Sequence, residues 1–351
     1  MSSSHLDLTT YLSQLEGNYR LFDVGRRIRK LDKKQFHQVE QLQIPYPTPY
    51  LHHAWLALYI SQPSQPQNDT LWFLKWPLDE QGMLIPYVRD DLVNRLLQLS
   101  KQPLQQTDTE LEDPLKDNPF SFNPDDVRRA NLHALIQHSQ HRKASEHFDS
   151  VVHYLQAGNL NPQTLEQWQG LGIQGIADLA ARLTDHRQTL SHSLSQLPSE
   201  PYLAFAQCLE HHSIPYEVAQ AAAKRLRHDL TQADNATAVE AGMRIVGACS
   251  DDQLRINTWQ AWFDSDYSDQ VQTLLVFATR NFDDLAFVPN LIPTFIEKLA
   301  RLDPSYTTFI KIMNDLLFLP GLRALLLQAL RNPDRPDVVA SAMQALLNQA
   351  Q

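Results

Sequence analysis

The chain has 351 residues, of which 43% are hydrophobic and 20% charged, a composition typical of folded globular proteins and not of disordered ones. Its formal net charge of −10 at pH 7 argues against a polyanionic partner such as nucleic acid. Residues 1–100 hold ten basic and ten acidic side chains, so the rest of the chain carries the whole excess. Only the N-terminal part is therefore expected to present a basic surface.

The start of the chain and its cysteines predict a cytoplasmic location. Residues 1–10 lack the basic start and apolar stretch of a signal peptide, and no apolar run approaches the ~20 residues that span a bilayer. Cys208 and Cys249 lie in apolar helical patterns, which is typical of small buried thiols. We expect reduced cysteines, no membrane contact and no cofactor.

Residues 1–100 predict a small α+β domain with an antiparallel sheet. Two stretches rich in aromatic and aliphatic residues are expected as central, paired strands, and Asp32 is expected to cap a helix. This mixture of helices and antiparallel strands defines the predicted fold class. The expected elements are a helix at 6–15, strands at 19–24 and around 28–31, a helix at 33–43, strands at 53–60, 70–76 and 83–88, and a helix at 90–99.

Residues 101–126 are predicted to be an acidic linker. Seven acidic side chains stand against Lys101 and Lys116, and four prolines interrupt the stretch. Phe120 and Phe122 lie in an extended, proline-flanked part of this segment. We expect both rings to be largely buried on the adjoining domain, because an aromatic pair left in water is a liability.

The remainder predicts an all-α region, with helical connections at 127–197 and a repeat domain at 198–351. Helix-pair starts near Ser199, Asn235, Ser268, Pro304 and Arg335 are 31 to 36 residues apart. That spacing is close to the period of roughly 34 to 40 residues in helical-hairpin repeats. The pattern predicts stacked helix pairs, a HEAT-like α-solenoid, with an irregular helical bundle as the alternative.

Several segments together resemble a bacterial family defined only as a domain of unknown function. They are Phe22-Asp-Val-Gly-Arg-Arg27, Trp72-Phe-Leu-Lys-Trp-Pro-Leu-Asp-Glu-Gln-Gly82, Asn118-Pro-Phe-Ser-Phe122 and Gly172-Ile-Gln-Gly-Ile-Ala-Asp178. The C-terminal half is similar only in its helical character. The resemblance implies a gammaproteobacterial origin and a shared fold, and it brings no activity, cofactor or assigned site.

Two patterns that often mark ligand sites are interpreted as structural. Gly170, Gly172 and Gly175 match the dinucleotide fingerprint, but a short helix is predicted where the fingerprint requires a strand. We therefore predict a turn between helices. The histidine-rich stretch from His133 to His147 lacks a cysteine or acidic residue at ligand spacing, so we predict no metal site.

A candidate catalytic pair comes from the expected pairing of the two strongest strands. Antiparallel neighbours would bring the start of one strand, with His53, next to the end of the other, with Asp79 and Glu80. A histidine oriented by a carboxylate is the smallest unit of general acid–base chemistry. The same pair is also an ordinary surface ion pair at a sheet edge.

A basic cluster at 26–34 is the other candidate site. Arg26, Arg27, Arg29 and Lys30 cross a predicted hairpin that is expected to be exposed, and two more lysines follow. Arginine forks bind carboxylate or phosphate bidentately. The alternatives are pairing with the protein's own acidic linker, an acidic protein partner, or nucleic acid.

The leading hypothesis is a non-enzymatic adaptor that binds another protein through a helical-repeat surface. The first alternative is a small hydrolase or ligand-binding protein with a site near His53 and Asp79. The second is an RNA-associated protein that uses the basic hairpin from Arg26 to Lys34. The absence of a recognisable nucleophile or oxyanion loop makes an enzyme the weaker hypothesis.

Overall fold

The computed structural model describes residues 7–14, 18–61, 69–101, 118–156 and 167–349. The chain divides into two compact units, a sheet unit (residues 1–124 and 318–320) and a helical unit (residues 125–317 and 321–351). The protein is mainly α, with an α+β N-terminal part that holds a small antiparallel sheet. Within the described ranges, none of the helices combines the length and apolar character that a membrane span needs.

The sheet contains four strands, in the order β2-β1-β3-β4, and each neighbouring pair is antiparallel. The predicted antiparallel pairing of the two strongest strands is confirmed, with Ala57 opposite Phe73. The expectation that both are central is wrong for the second, which lies at the end of the strand order. The strands are β1 Asn18–Asp23, β2 Arg29–Lys30, β3 His53–Ser61 and β4 Thr70–Pro77.

Three helices cover one face of this sheet: α1 Leu8–Ser13, α2 Lys33–Glu40 and α3 Pro86–Lys101. Alternate residues of β3 point into the core that the helices close, because successive side chains on a strand face opposite sides. The core includes Leu56, Leu58, Leu12, Phe36 and Leu92. Asp32 caps α2 as predicted, since its carboxylate accepts hydrogen bonds from the Lys34 and Gln35 amides at 3.0 and 2.9 Å.

The strand predicted at 83–88 is wrong. The structure shows only an isolated bridge between Leu78 and Leu84, and α3 already begins at Pro86. Proline is favoured in the first turn of a helix, where a backbone N–H would have no intrahelical partner. The helix predicted from residue 90 therefore starts four residues earlier.

The aromatic segment near the end of the predicted linker lies against β4. The Lys75 amide donates to the Phe120 carbonyl at 2.7 Å, and the Phe122 amide donates to the Phe73 carbonyl at 3.1 Å. The Phe122 ring meets the Trp55 ring edge-on at 4.8 Å. Phe120 and Phe122 are half-buried, less than the sequence predicts. Residues 102–117 of the predicted linker lie outside the described residues.

The helical unit contains fourteen α-helices within the described residues, and short 3-10 turns precede two of them. They are α4 Asp126–Ser139, α5 Phe148–Gln156, α6 Ile173–Ala181, α7 Leu183–Ser193, α8 Ser199–Leu209, α9 Tyr216–Asp229, α10 Ala236–Val246, α11 Asp252–Phe263, α12 Val271–Arg280, α13 Asp284–Phe287, α14 Leu291–Arg301, α15 Thr307–Leu317, α16 Pro320–Leu330 and α17 Asp337–Gln349.

From α6 to α12 these helices pack in two layers, because each one lies beside the helix two positions further along the chain. The first layer runs through α6, α8, α10 and α12, and the second through α7, α9 and α11. Polar contacts join successive helix pairs. The Ser199 hydroxyl donates to the side-chain oxygen of Asn235 at 3.1 Å, and the backbone amide of Asn235 donates to the Tyr267 hydroxyl at 2.8 Å. These three residues lie at or beside the first three pair starts expected from the sequence.

The glycine-rich stretch serves helix packing. Residues 167–170 form a 3-10 turn, and α6 begins at Ile173, so no strand lies within 167–181. A Cβ atom at Gly175 would lie 2.6 Å from the His147 carbonyl oxygen. Only glycine permits this close approach of two backbones, which explains its presence without a nucleotide.

Candidate functional site

A groove on the helical unit is the surface feature best suited to hold another molecule. Its volume is about 660 Å³, within the range of roughly 300–1,000 Å³ that is typical of binding pockets. One wall is the start of α14, and the other is the C-terminal half of α16 with the turn after it. Six residues give it an apolar lining: Pro289, Ile292, Pro293, Leu325, Ala329 and Pro333.

The walls of this groove are rigid for reasons visible in the sequence. Proline restricts φ, and Pro293 lies in the first turn of α14, where its missing N–H costs no hydrogen bond. Behind the walls, Phe295 and Leu326 are fully buried in the core. The lining is therefore held in place by packed helices on both sides.

Arg331 supplies the charge in the groove. Its side chain is exposed and forms no ion pair with a described residue, although Asp334 is only three positions away. The Asn332 side chain accepts a hydrogen bond from the Asp334 amide at 3.0 Å and so fixes this turn. An exposed guanidinium beside an apolar wall is suited to bind a carboxylate through two parallel hydrogen bonds.

Phe287 is an exposed apolar side chain close in the chain to the groove residue Pro289. It is 65% exposed, more than any other large apolar side chain of the described residues. It ends α13 two positions before Pro289, hence within about 7 Å along the chain. Asp284 anchors this short helix, because its carboxylate accepts from Trp259 at 2.6 Å and from Arg255 at 2.9 Å. The exposed ring is thus presented by a fixed element.

The structure buries two residues of the basic cluster predicted at the hairpin and exposes two others. Arg26 and Arg27 are only 4% and 8% exposed, so the expectation of an exposed turn is wrong for them. The Arg26 Nε donates to the Pro49 carbonyl at 3.1 Å, and its guanidinium lies 5.2 Å from the centre of the Tyr50 ring. Arg29 and Lys30, which form β2, are exposed at the end of the sheet.

Asp23 organises the start of this hairpin from inside the sheet unit. It is buried and accepts hydrogen bonds from the hydroxyls of Tyr46 and Thr48 at 2.5 and 2.7 Å, and from the Gly25 amide at 3.0 Å. Burial raises the pKa of Asp23 to about 6, against the lowering effect of these hydrogen bonds. The network explains the turn without a ligand.

The predicted acid–base pair is not assembled. His53 lies opposite Pro77 in the sheet register, and its Nδ1 is 2.6 Å from the Leu51 carbonyl oxygen. The Asp79 carboxylate accepts from the Gln81 and Met83 amides at 2.8 and 2.9 Å, so it closes its own turn. Among the described residues, neither Asp79 nor Glu80 forms an ion pair with His53. Burial lowers the pKa of His53, which keeps its ring neutral.

A third set of chemistry-bearing side chains meets between α1 and α2. Asp7, His37 and Glu40 each place a possible ligand atom within 4.8 Å of the other two. The Glu40 carboxylate accepts from the Leu8 and Thr9 amides at 3.0 Å each, which fixes the start of α1. Burial raises the pKa of Glu40 to about 7, and the nearby Asp7 contributes to the rise.

One family model matches nearly the whole chain. The family model described as a protein of unknown function (DUF3549) matches residues 6–347. The chain belongs to this family. No curated protein and no solved structure matches the chain. The family resemblance seen in the first half of the sequence is therefore confirmed and extends over both units, while the gammaproteobacterial origin stays a prediction.

Neither the groove nor the cluster of Asp7, His37 and Glu40 was predicted from the sequence. The groove is built from residues 289–293 and 325–333, which lie in separate helix pairs, and no local pattern joins them. The cluster at α2 left a weak signal, because His37 and Glu40 are three residues apart on a predicted helix and so share a face. Asp7 is 30 residues upstream of His37, and only the fold brings it close.

Proposed function

We propose that the chain is a non-enzymatic adaptor that captures a partner protein in the groove between α14 and α16. The observation that carries the proposal is the juxtaposition, within one helical unit, of an apolar groove, an exposed Phe287 and an Arg331 that pairs with no described acid. Exposed apolar patches with polar rims mark interaction surfaces. Aromatic residues and arginine are also the types that most often dominate binding energy at interfaces.

The packing of the helical unit supports this proposal. From α6 to α12, layers in which each helix lies beside the second one along the chain fit the HEAT-like prediction from the sequence, and such stacks present long surfaces for other proteins. Ion pairs between neighbouring helices of one layer would keep the stack rigid, as when Arg244 contacts Glu210 at 2.8 Å. A rigid groove binds with a smaller loss of conformational entropy.

The occupant that we propose is an amphipathic segment with apolar residues for the groove and an acidic side chain for Arg331. A helix fits this description, because it places residues i, i+3 and i+4 on one face. The net charge of −10 disfavours nucleic acid as the partner. A cytoplasmic location in a bacterial host belongs to the same proposal, and it fits the two buried free thiols, Cys208 and Cys249.

Affinity capture with matched variants tests the proposal. The tagged full chain is recovered from a bacterial host of this family, and the co-purified proteins of Phe287→Ser and Arg331→Glu are compared with those of wild type. Both residues are exposed, so the fold should be preserved. We expect one partner to be lost from both variants, with the Arg331→Glu effect increasing at low salt.

Two control variants make this loss specific. Leu347→Ser removes an exposed apolar side chain, and Arg323→Glu reverses an exposed arginine on the wall helix α16, yet neither residue lines the groove. Both should retain the partner. Equal loss in controls and groove variants, or no loss in either, would contradict a docking site in the groove.

A further inference from the structure

The meeting of Asp7, His37 and Glu40 in the sheet unit has the features of a metal site. His37 and Glu40 are three residues apart on α2 and project from the same face, while Asp7 lies just before α1. The His37 Nδ1 is 3.9 Å from the nearest Asp7 carboxylate oxygen. Ligands of a tetrahedral zinc ion, at bond lengths near 2.1 Å, lie roughly 3.4 Å apart. A small side-chain rotation therefore closes the set around an ion.

Uncompensated charge at this place points to a cation. Glu40 is fully buried and Asp7 is 6% exposed, yet no lysine or arginine of the described residues forms an ion pair with either. Burying carboxylates without a cationic partner is costly. Buried acids in the helical unit are treated differently, since Glu210, Glu240 and Asp284 each contact an arginine at 2.7 to 2.9 Å. Backbone amides of a six-residue helix offset only part of the charge at Asp7 and Glu40.

The hydrogen bonds to the two carboxylates orient them and leave room for an ion. Asp7 accepts from the Thr10 amide at 2.6 Å and from the Gln41 side chain at 2.8 Å, and Glu40 accepts from the Leu8 and Thr9 amides and from the Thr9 hydroxyl. A carboxylate has about four lone-pair positions, so further acceptance is available. Such outer contacts hold ligands in place in metal sites. His37, with its side chain 46% exposed, provides the entry path.

We propose that Asp7, His37 and Glu40 bind a divalent transition-metal ion of the zinc type, with a water molecule as fourth ligand. One imidazole and two carboxylates form a donor set that zinc accepts, while magnesium and calcium prefer oxygen ligands alone. The ion joins residues before α1 to α2 and neutralises the buried carboxylates. This inference concerns the sheet unit and is independent of the proposed groove.

Titration of the metal-free full chain with zinc chloride tests the site. After dialysis against a chelator, calorimetry should show one saturable zinc ion per chain, and zinc should raise the melting temperature. His37→Ala should weaken zinc binding by at least about tenfold. His37 is the informative position because its removal leaves the bonds of Asp7 and Glu40 to α1 intact.

Two further measurements establish which residues and which metal are involved. His228→Ala removes an exposed histidine of α9 and should leave the zinc affinity unchanged, and magnesium chloride should produce no comparable shift in melting temperature. Zinc binding that is absent, that is unaffected by His37→Ala, or that falls equally in His228→Ala would overturn the proposal. Equal stabilisation by magnesium would show a carboxylate-only site and would overturn the assignment to zinc.

Discussion

Buried carboxylates are stabilised differently in the two units. In the helical unit, five of the six buried carboxylates among the described residues lie within 3.3 Å of an arginine: Asp178, Glu210, Asp229, Glu240 and Asp284. In the sheet unit, Asp7, Asp23 and Glu40 accept hydrogen bonds mainly from amides and hydroxyls, and the nearby charge of Arg29 has only a small effect on Asp23. The helical unit thus neutralises most of its buried carboxylates with arginines, whereas the sheet unit relies mainly on neutral donors.

The geometry of the elements explains the difference. Three of the five arginine pairs join residues four apart on one helix, where side chains naturally meet. Layered helices add contacts between pairs, such as Arg280 with Glu210 at 3.1 Å. In the sheet unit the acids lie at the ends of short elements, next to unpaired backbone amides. Each unit thus uses the donors that its own geometry supplies.

The largest effect is expected when a paired carboxylate is neutralised. Glu210→Gln removes the carboxylate that Arg280 contacts and one of the two that Arg244 contacts, since Arg244 keeps its pair with Glu240. Breaking such a pair from one side typically costs about 3–5 kcal/mol. We expect the free energy of unfolding, measured by urea denaturation monitored by circular dichroism, to fall by about that amount.

An exposed pair provides the control. Glu297→Gln removes the partner of Arg301 four residues further along α14, and that arginine is 60% exposed. Exposed pairs contribute about 0–1 kcal/mol, so this variant should be nearly as stable as wild type. Similar losses for Glu210→Gln and Glu297→Gln would show that the buried ion pairs have no special role.

An intermediate effect is expected at Asp23, and it depends on pH. The folded protein raises the pKa of this carboxyl from 3.8 to about 6, so its contribution to stability is fully present below pH 3.8 and is lost as pH rises through about 6. A shift of this size corresponds to about 3 kcal/mol at most. Relative to Asp23→Asn, wild type should therefore lose stability between pH 4 and 7. The difference between their unfolding free energies, measured at several pH values, checks this, and a flat difference would contradict it.

The smallest effect is expected at Glu40. Glu40→Gln keeps a carbonyl oxygen for the Leu8 or Thr9 amide and removes a charge that no described lysine or arginine neutralises. At pH 7 in metal-free buffer, near the raised pKa of Glu40, the loss of one acceptor oxygen and the removal of this charge offset each other, so the free energy of unfolding should change by less than about 1 kcal/mol. A loss of unfolding free energy as large as that of Glu210→Gln would contradict this, because it would mean that the charge of Glu40 is neutralised to the same degree as the buried carboxylates of the helical unit.

Much of the fold follows from the sequence, because its elements depend on local patterns. The helix cap at Asp32 and the antiparallel pairing of β3 with β4 are two examples. The burial of Arg26 does not follow from the sequence, because its partners Pro49 and Tyr50 come from a distant, proline-rich segment. Sequence patterns predict that a charged residue in a turn is exposed, and they do not reveal an acceptor that comes from a distant segment.

The candidate sites were less predictable for the same reason. The His37–Glu40 spacing was visible, but Asp7 joins it only through the docking of α1 on α2. The groove depends on the distance between two helices that belong to different pairs. Hydrophobic periodicity identifies which face of a helix is buried, and it does not tell how far apart neighbouring helices stand.

Site-specific photocrosslinking tests most directly the claim that the helical unit binds a partner through its groove. A photoreactive phenylalanine analogue replaces Ala329, which lines the groove, or Ala324, which is exposed on the same helix outside the lining. Irradiation in the native host is predicted to give a discrete crosslinked product from position 329 and none from 324. Products of equal yield from both positions, or a product from 324 alone, would contradict binding in the groove.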